Sequence, residues 1–126
     1  MLLRNLAIVL AATLGLAACS QRTEPPGERG VCYHVVPQPD GSLKYNVVAK
    51  DQPSLEHCAA KLEVMRLSFL RMGGSVRELM GAYQANFLFI ERPGIFTSTS
   101  LEGNRYLVLV RTGDGRLVMP GAMPRQ

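Results

Sequence analysis

Two apolar rhythms alternate along this chain, and the change from one to the other falls near Pro53 and again near Gly74. Val31-Cys32-Tyr33-His34-Val35-Val36 is dense in β-branched and aromatic residues, while Leu43, Tyr45 and Val47 alternate with Lys44 and Asn46. A period of two describes a strand with one buried face. Asp40-Gly41 between the two runs is a tight-turn signal, so the pattern predicts an antiparallel hairpin. From Pro53 the rhythm lengthens. Leu55, Cys58, Leu62, Met65, Phe69 and Met72 recur at spacings of three and four, the stripe of an amphipathic helix. Proline suits a first helical turn because its missing N–H has no intrahelical partner there. Arg71 complements the helix dipole and Gly73-Gly74 can close the end, which predicts a helix over 53–72.

After Gly74 the pattern returns to strands. Leu79 to Ile90 reads as one strand with Tyr83, Ala85, Phe87 and Phe89 on a single face. Arg92-Pro93-Gly94 marks a turn, followed by a short strand from Ile95 to Ser98 and a second turn at Glu102-Gly103-Asn104. The nearly continuous apolar run Tyr106 to Val110 predicts a central strand, and Thr112 to Gly115 turns into a last strand over Arg116 to Met119. The expected fold class is α+β: an antiparallel sheet, made of the N-terminal hairpin plus a C-terminal three- to four-strand meander, with one amphipathic helix packed on one face. The domain occupies 31–119, with a loose tail over 120–126. Residues 19–30 contain prolines, glycines and mixed charges but no large apolar side chain, and predict a flexible tether.

The first residues follow a different logic. Arg4 precedes an apolar run from Leu6 to Ala18 that ends in small residues before a cysteine, Leu16-Ala17-Ala18-Cys19. A charged start, a short apolar middle and a small-residue end describe a secretory signal. The run is too short for a membrane span of about 20 residues. Its last four residues resemble the lipobox of bacterial lipoprotein precursors, a resemblance that covers the signal over 1–18 and leaves the body unassigned. It implies cleavage before Cys19, acylation of that thiol and anchoring of the body to a bilayer, facing the periplasm. Ser20 after the acylated cysteine implies the outer membrane. An exported, oxidising compartment in turn implies a disulfide between the remaining pair, Cys32 and Cys58. Two sharper readings compete with it. Cys32, His34, His57 and Cys58 are the ligand types of a structural zinc site, but adjacent helical residues point about 100° apart, so His57 and Cys58 converge poorly. A Cys–His nucleophile pair has no further support in the sequence.

Charge and motifs narrow the function further. The formal net charge is +4, with the basic residues scattered. No basic cluster with interleaved aromatics is present, which argues against nucleic acid and leaves anionic lipid headgroups as a secondary possibility. Nucleophile elbows, phosphate-binding loops, zinc-protease motifs and dinucleotide fingerprints are absent from the sequence. Asp51, Glu56, Glu63, Glu78, Glu91, Glu102 and Asp114 stand singly, with no acid/base pair among them. Thr97-Ser98-Thr99-Ser100 is either a strand end or a hydroxyl-rich run suited to hydrogen bonding a sugar polymer, and Tyr83, Phe87 and Phe89 read as core. These features predict a non-enzymatic envelope lipoprotein with no cofactor and no metal, which docks to an envelope protein. The alternative is a binder of cell-wall polymer or an inhibitor of a foreign cell-wall hydrolase.

Overall fold

The computed structural model describes residues 22–74 and 78–121. The expected signal over 1–18, the expected lipidation residue Cys19, the first residues of the expected tether and the tail beyond 121 lie outside them. Strands β1 (Cys32–Pro37) and β2 (Leu43–Ala49) form the expected hairpin, paired from Pro37↔Leu43 to Cys32↔Ala49 with a bulge near Cys32. Its turn is held by Asp40, whose Oδ1 accepts from the Ser42 N–H at 2.9 Å and the Ser42 hydroxyl at 2.6 Å. Gly41 supplies the positive φ of +90° that the turn requires.

Helix α1 (Leu55–Arg71) starts two residues later than the spacing suggests. Ser54 is the N-cap: its backbone is extended and its hydroxyl accepts from the His57 N–H at 3.3 Å. A side-chain acceptor satisfies an orphan donor directly, so Ser54 caps the helix and Pro53 lies outside it. The buried positions are Cys58, Ala59, Leu62 and Arg66. Met72, expected on the apolar stripe, is 75% exposed because it is the C-cap residue, where the chain leaves the helix. Gly73 follows at φ +83°, and the Gly74 N–H closes back onto the Phe69 carbonyl at 3.0 Å.

The stretch from Leu79 to Ile90 is two strands, not one. β3 (Glu78–Tyr83) and β4 (Asn86–Glu91) pair from Glu78↔Glu91 to Tyr83↔Asn86 around a two-residue turn. Gln84 and Ala85 make that turn with φ of 43° and 65°. Neither is the glycine or asparagine that a turn with two positive φ angles usually demands, so no local signal marks it. The turn also reverses the faces: Tyr83 belongs to the helix side of the sheet, and Phe87 and Phe89 to the other.

β5 (Gly94–Ser98), β6 (Tyr106–Arg111) and β7 (Leu117–Val118) complete a seven-stranded antiparallel sheet in the order β2-β1-β3-β4-β5-β6-β7. The C-terminal meander therefore has five strands, β3 to β7, rather than three or four. β6 is next to the edge instead of central, with Tyr106 at 64% exposure. The α+β class stands: one helix packed against an antiparallel sheet. On the helix side, Leu62, Leu88, Ile90 and Ile95 surround Cys32 and Cys58. Helix and sheet approach most closely at Gly81, where an added Cβ would overlap Leu62 Cδ1 and lie 2.8 Å from the Tyr33 carbonyl oxygen. The opposite face carries a second buried cluster of Tyr33, Val35, Ala82, Phe87 and Phe89, with Leu101 packed against it.

Residues 22–30, within the expected tether, make backbone hydrogen bonds to the body. The Leu101 N–H donates to the Thr23 carbonyl and the Ala85 N–H to the Pro26 carbonyl, each at 2.9 Å. Gly30 donates to Gln84 Oε1 and accepts from the Gln52 N–H, again at 2.9 Å. Lacking large apolar side chains, this segment cannot form a core of its own, yet its backbone groups find specific partners on the body. It lies against the β3–β4 turn and the loop after β5.

Candidate functional site

Cys32 on β1 and Cys58 in the first turns of α1 form a disulfide with Cα atoms 5.3 Å apart. Both sulfurs are fully buried between helix and sheet. Bonded to each other, they offer neither a thiolate nucleophile nor a metal ligand. The two histidines have separate surroundings. His57 Nδ1 lies 2.7 Å from the Ser54 hydroxyl at the helix start. His34 is half-buried with its ring 6.3 Å from that of Phe69, and burial lowers its pKa below the usual histidine value. Among the described residues no group of three or more His, Cys, Asp or Glu side chains is placed to hold a metal ion.

Three of the singly spaced carboxylates are drawn into ion pairs across elements. Glu63 accepts from Arg66 Nη2 at 3.0 Å and from Arg111 Nη2 at 2.6 Å, with Arg111 Nε also bonded at 3.1 Å. Arg111 Nη1 donates further to the carbonyls of Glu91 and Arg92, both at 2.8 Å. Burial raises the pKa of Glu63, but the hydrogen bonds and charges of Arg111 and Arg66 outweigh it, and the net shift is downward. Arg105 bridges Glu78 and Glu91 at 2.9 and 3.0 Å while its guanidinium sits 3.6 Å from the Phe89 ring centroid. These groups hold elements together, and the fold sets Glu78 and Glu91 opposite each other with Arg105 bonded to both.

Two surface features of the described residues bear on binding. One is the outer edge of β2, which ends the sheet and spans seven residues without a proline. The opposite edge, β7, is only two residues long. Edge strands expose unpaired N–H and C=O groups, and proteins usually blunt them by shortness, proline or charge. β2 carries one charged residue, Lys44. At about 3.3 Å per residue it is long enough to template a partner strand.

The other feature is a polar cleft of about 470 Å³ around the loop after β5. Ser98, Thr99 and Ser100 line one part of it, Glu102 and Asn104 another, and Tyr106 stands at its side. The loop is internally braced. The Ser98 hydroxyl donates to the Ser100 carbonyl at 2.5 Å and accepts from the Ser100 N–H at 3.3 Å, and the Gly103 N–H reaches the Ser100 carbonyl at 3.3 Å. Thr23 straps it from outside, its N–H and hydroxyl reaching the Glu102 carboxylate at 3.0 and 2.8 Å. The Thr23 hydroxyl, foremost, holds the Glu102 carboxyl below the usual range. The sequence contained the hydroxyl run, but Arg22 and Tyr106, which the fold brings beside it, carried no signal of proximity.

The chain matches no protein-family model, no curated protein and no solved structure. Its class is therefore defined by its own geometry: a small α+β body with a disulfide between its helix and its first strand.

Proposed function

We propose that this protein is a non-enzymatic bacterial envelope lipoprotein, held to a bilayer by an acylated Cys19, facing the periplasm, with the outer membrane the favoured location. In this reading its β2 edge receives an extended segment of an envelope protein partner. The observation that carries the docking reading is the seven-residue proline-free edge at one end of the sheet, set against a two-residue edge at the other. The anchor is supported by the Leu16-Ala17-Ala18-Cys19 pattern, and the disulfide fits an oxidising compartment.

Two experiments test the two halves. Cys19→Ala is expected to leave an uncut, unacylated precursor; normal processing with detergent-phase partitioning would overturn the anchor. For the edge, Tyr45→Pro and Asn46→Pro are compared, because adjacent strand residues point their N–H groups in opposite directions. The substitution whose N–H faces outward is expected to keep the fold, since proline is tolerated at a sheet edge. That same variant is expected to lose crosslinking to the partner from a photoreactive residue at position 44. Crosslinks that persist in the folded proline variant, or that join only two copies of this chain, would refute strand addition by a partner.

A further inference from the structure

We infer that the cleft beside the β5–β6 loop binds a neutral saccharide. The inference stands on different residues from the β2 edge and does not depend on that reading. Size comes first: about 470 Å³ falls within the roughly 300–1,000 Å³ of small-molecule pockets. The lining then limits the ligand class. Ser98 and Ser100 are buried and bonded to each other, but Thr99 and Asn104 are exposed and give it a hydroxyl and an amide, so an acyl chain or apolar peptide side chain would strip these groups of water without replacing their hydrogen bonds. The charges cancel. Glu102 and Arg22 both line the cleft, one charge of each sign, with the Glu102 carboxylate bonded to Thr23. A phosphate or polyanion would meet that carboxylate, and a cation would meet Arg22. A neutral, hydroxyl-rich ligand avoids both penalties.

Tyr106 supplies what a bare polar hollow lacks. It is 64% exposed at the cleft although it lies on a strand, and an open tyrosine offers an apolar face together with a polar tip. A pyranose ring has the matching character: C–H groups on one face and hydroxyls around its rim. The loop is also fixed in advance by the Ser98–Ser100 bonds and the Thr23–Glu102 strap, so little ordering is needed when a ligand arrives.

The test uses the full chain in a detergent without sugar headgroups, labelled for NMR and titrated with the N-acetylglucosamine tetramer and with cellotetraose. At least one is expected to shift amide signals confined to 98–106, saturating at about millimolar concentration. Tyr106→Ala is expected to weaken binding about tenfold, the loss of one stacked aromatic contact, with the thermal midpoint unchanged. Asn104→Ala, which leaves the aromatic face in place, is expected to weaken it by a smaller factor. Three outcomes overturn the inference: no shift at 98–106 with either sugar, equal affinity in Tyr106→Ala, or shifts there only with polyglutamate or a neutral peptide.

Discussion

Both faces of the sheet bury large side chains completely but are covered in opposite ways. Leu62 and Leu88 on the helix side are fully buried, and so are Phe87 and Phe89 on the other. Each such side chain contributes about 1.5–3 kcal/mol when removed from water, whichever face it lies on. The covers differ. One face lies under a 17-residue helix tied down by a disulfide and by Arg111. The other has Leu101 packed against it and Arg105 over Phe89, and the nearby loop is held by hydrogen bonds from residues 22–30. A regular element with a covalent tie unfolds with the domain, whereas an irregular segment held by separate polar contacts can release one contact at a time.

Breaking the covalent tie should have the largest effect. Cys32 and Cys58 are 26 residues apart, and closing a loop of that size restricts the unfolded chain by about 3–4 kcal/mol. The Cys32→Ala/Cys58→Ala pair is therefore expected to lose about that much in urea unfolding, and reduction of the wild-type protein to do the same. A loss under 1 kcal/mol would mean that helix packing alone, centred on Leu62 and Gly81, sets the stability of this face.

The ionic tie sharpens the comparison, because its two arginines are not equivalent. Arg111 connects Glu63 to the β4–β5 turn, and Arg111→Ala would leave the Glu63 carboxylate, only 12% exposed, with Arg66 as its one remaining partner. A loss of about 2–3 kcal/mol is expected. Arg66 is different: its Nε is buried without a partner. Arg66→Met keeps the Arg111 contact and removes an unpaired polar atom, so stability should hold or rise. Acid titration checks the same network. The folded pKa of Glu63 lies below its ordinary value of 4.5, so its contribution is complete above that pH and disappears as pH falls through the folded value. Glu63→Gln should flatten this acid limb of the stability curve; an unchanged limb would assign it to other carboxylates.

The same contrast explains which parts of the fold were legible in the sequence. The hairpin, the helix and the disulfide side depend on local periodicity, turn residues and cysteine count, all of which can be read along the chain. The β3–β4 turn was hidden because Gln84 and Ala85 take positive φ without glycine or asparagine. Support for that conformation comes from Gly30, which donates to the Gln84 side chain, and from Pro26, which accepts from the Ala85 N–H. That support comes from residues 54 and 59 positions earlier, and no local pattern reports it. Arg66 is hidden in the same way: charge usually implies solvent, whereas here Glu63 gives it a buried partner. The polar cleft was half legible for a similar reason. Its hydroxyl run is contiguous, but Arg22, Tyr106 and the Thr23 strap meet it only through the fold.

The smallest expected effect tests the polar cover itself. Thr23→Val removes the hydroxyl bonded to Glu102 at 2.8 Å and keeps the side chain's size. The Thr23 N–H still reaches Glu102, so the segment should loosen without detaching. Hydrogen exchange at the Leu101 amide, which donates to the Thr23 carbonyl, is expected to quicken several-fold, while the Ala82 and Leu88 amides and the thermal midpoint do not change. Acid should imitate the substitution. Glu102 titrates below its ordinary value of 4.5 because Thr23 bonds to its charged form, so the strap is intact above that pH and weakens as pH falls through the lowered value. If Thr23→Val and acid below that lowered value both leave the protection of the Leu101 amide unchanged, residues 22–30 are held by the Pro26–Ala85 bond and those of Gly30 instead. If they speed exchange at Ala82 as well, the two covers unfold as one unit and the contrast between the faces fails.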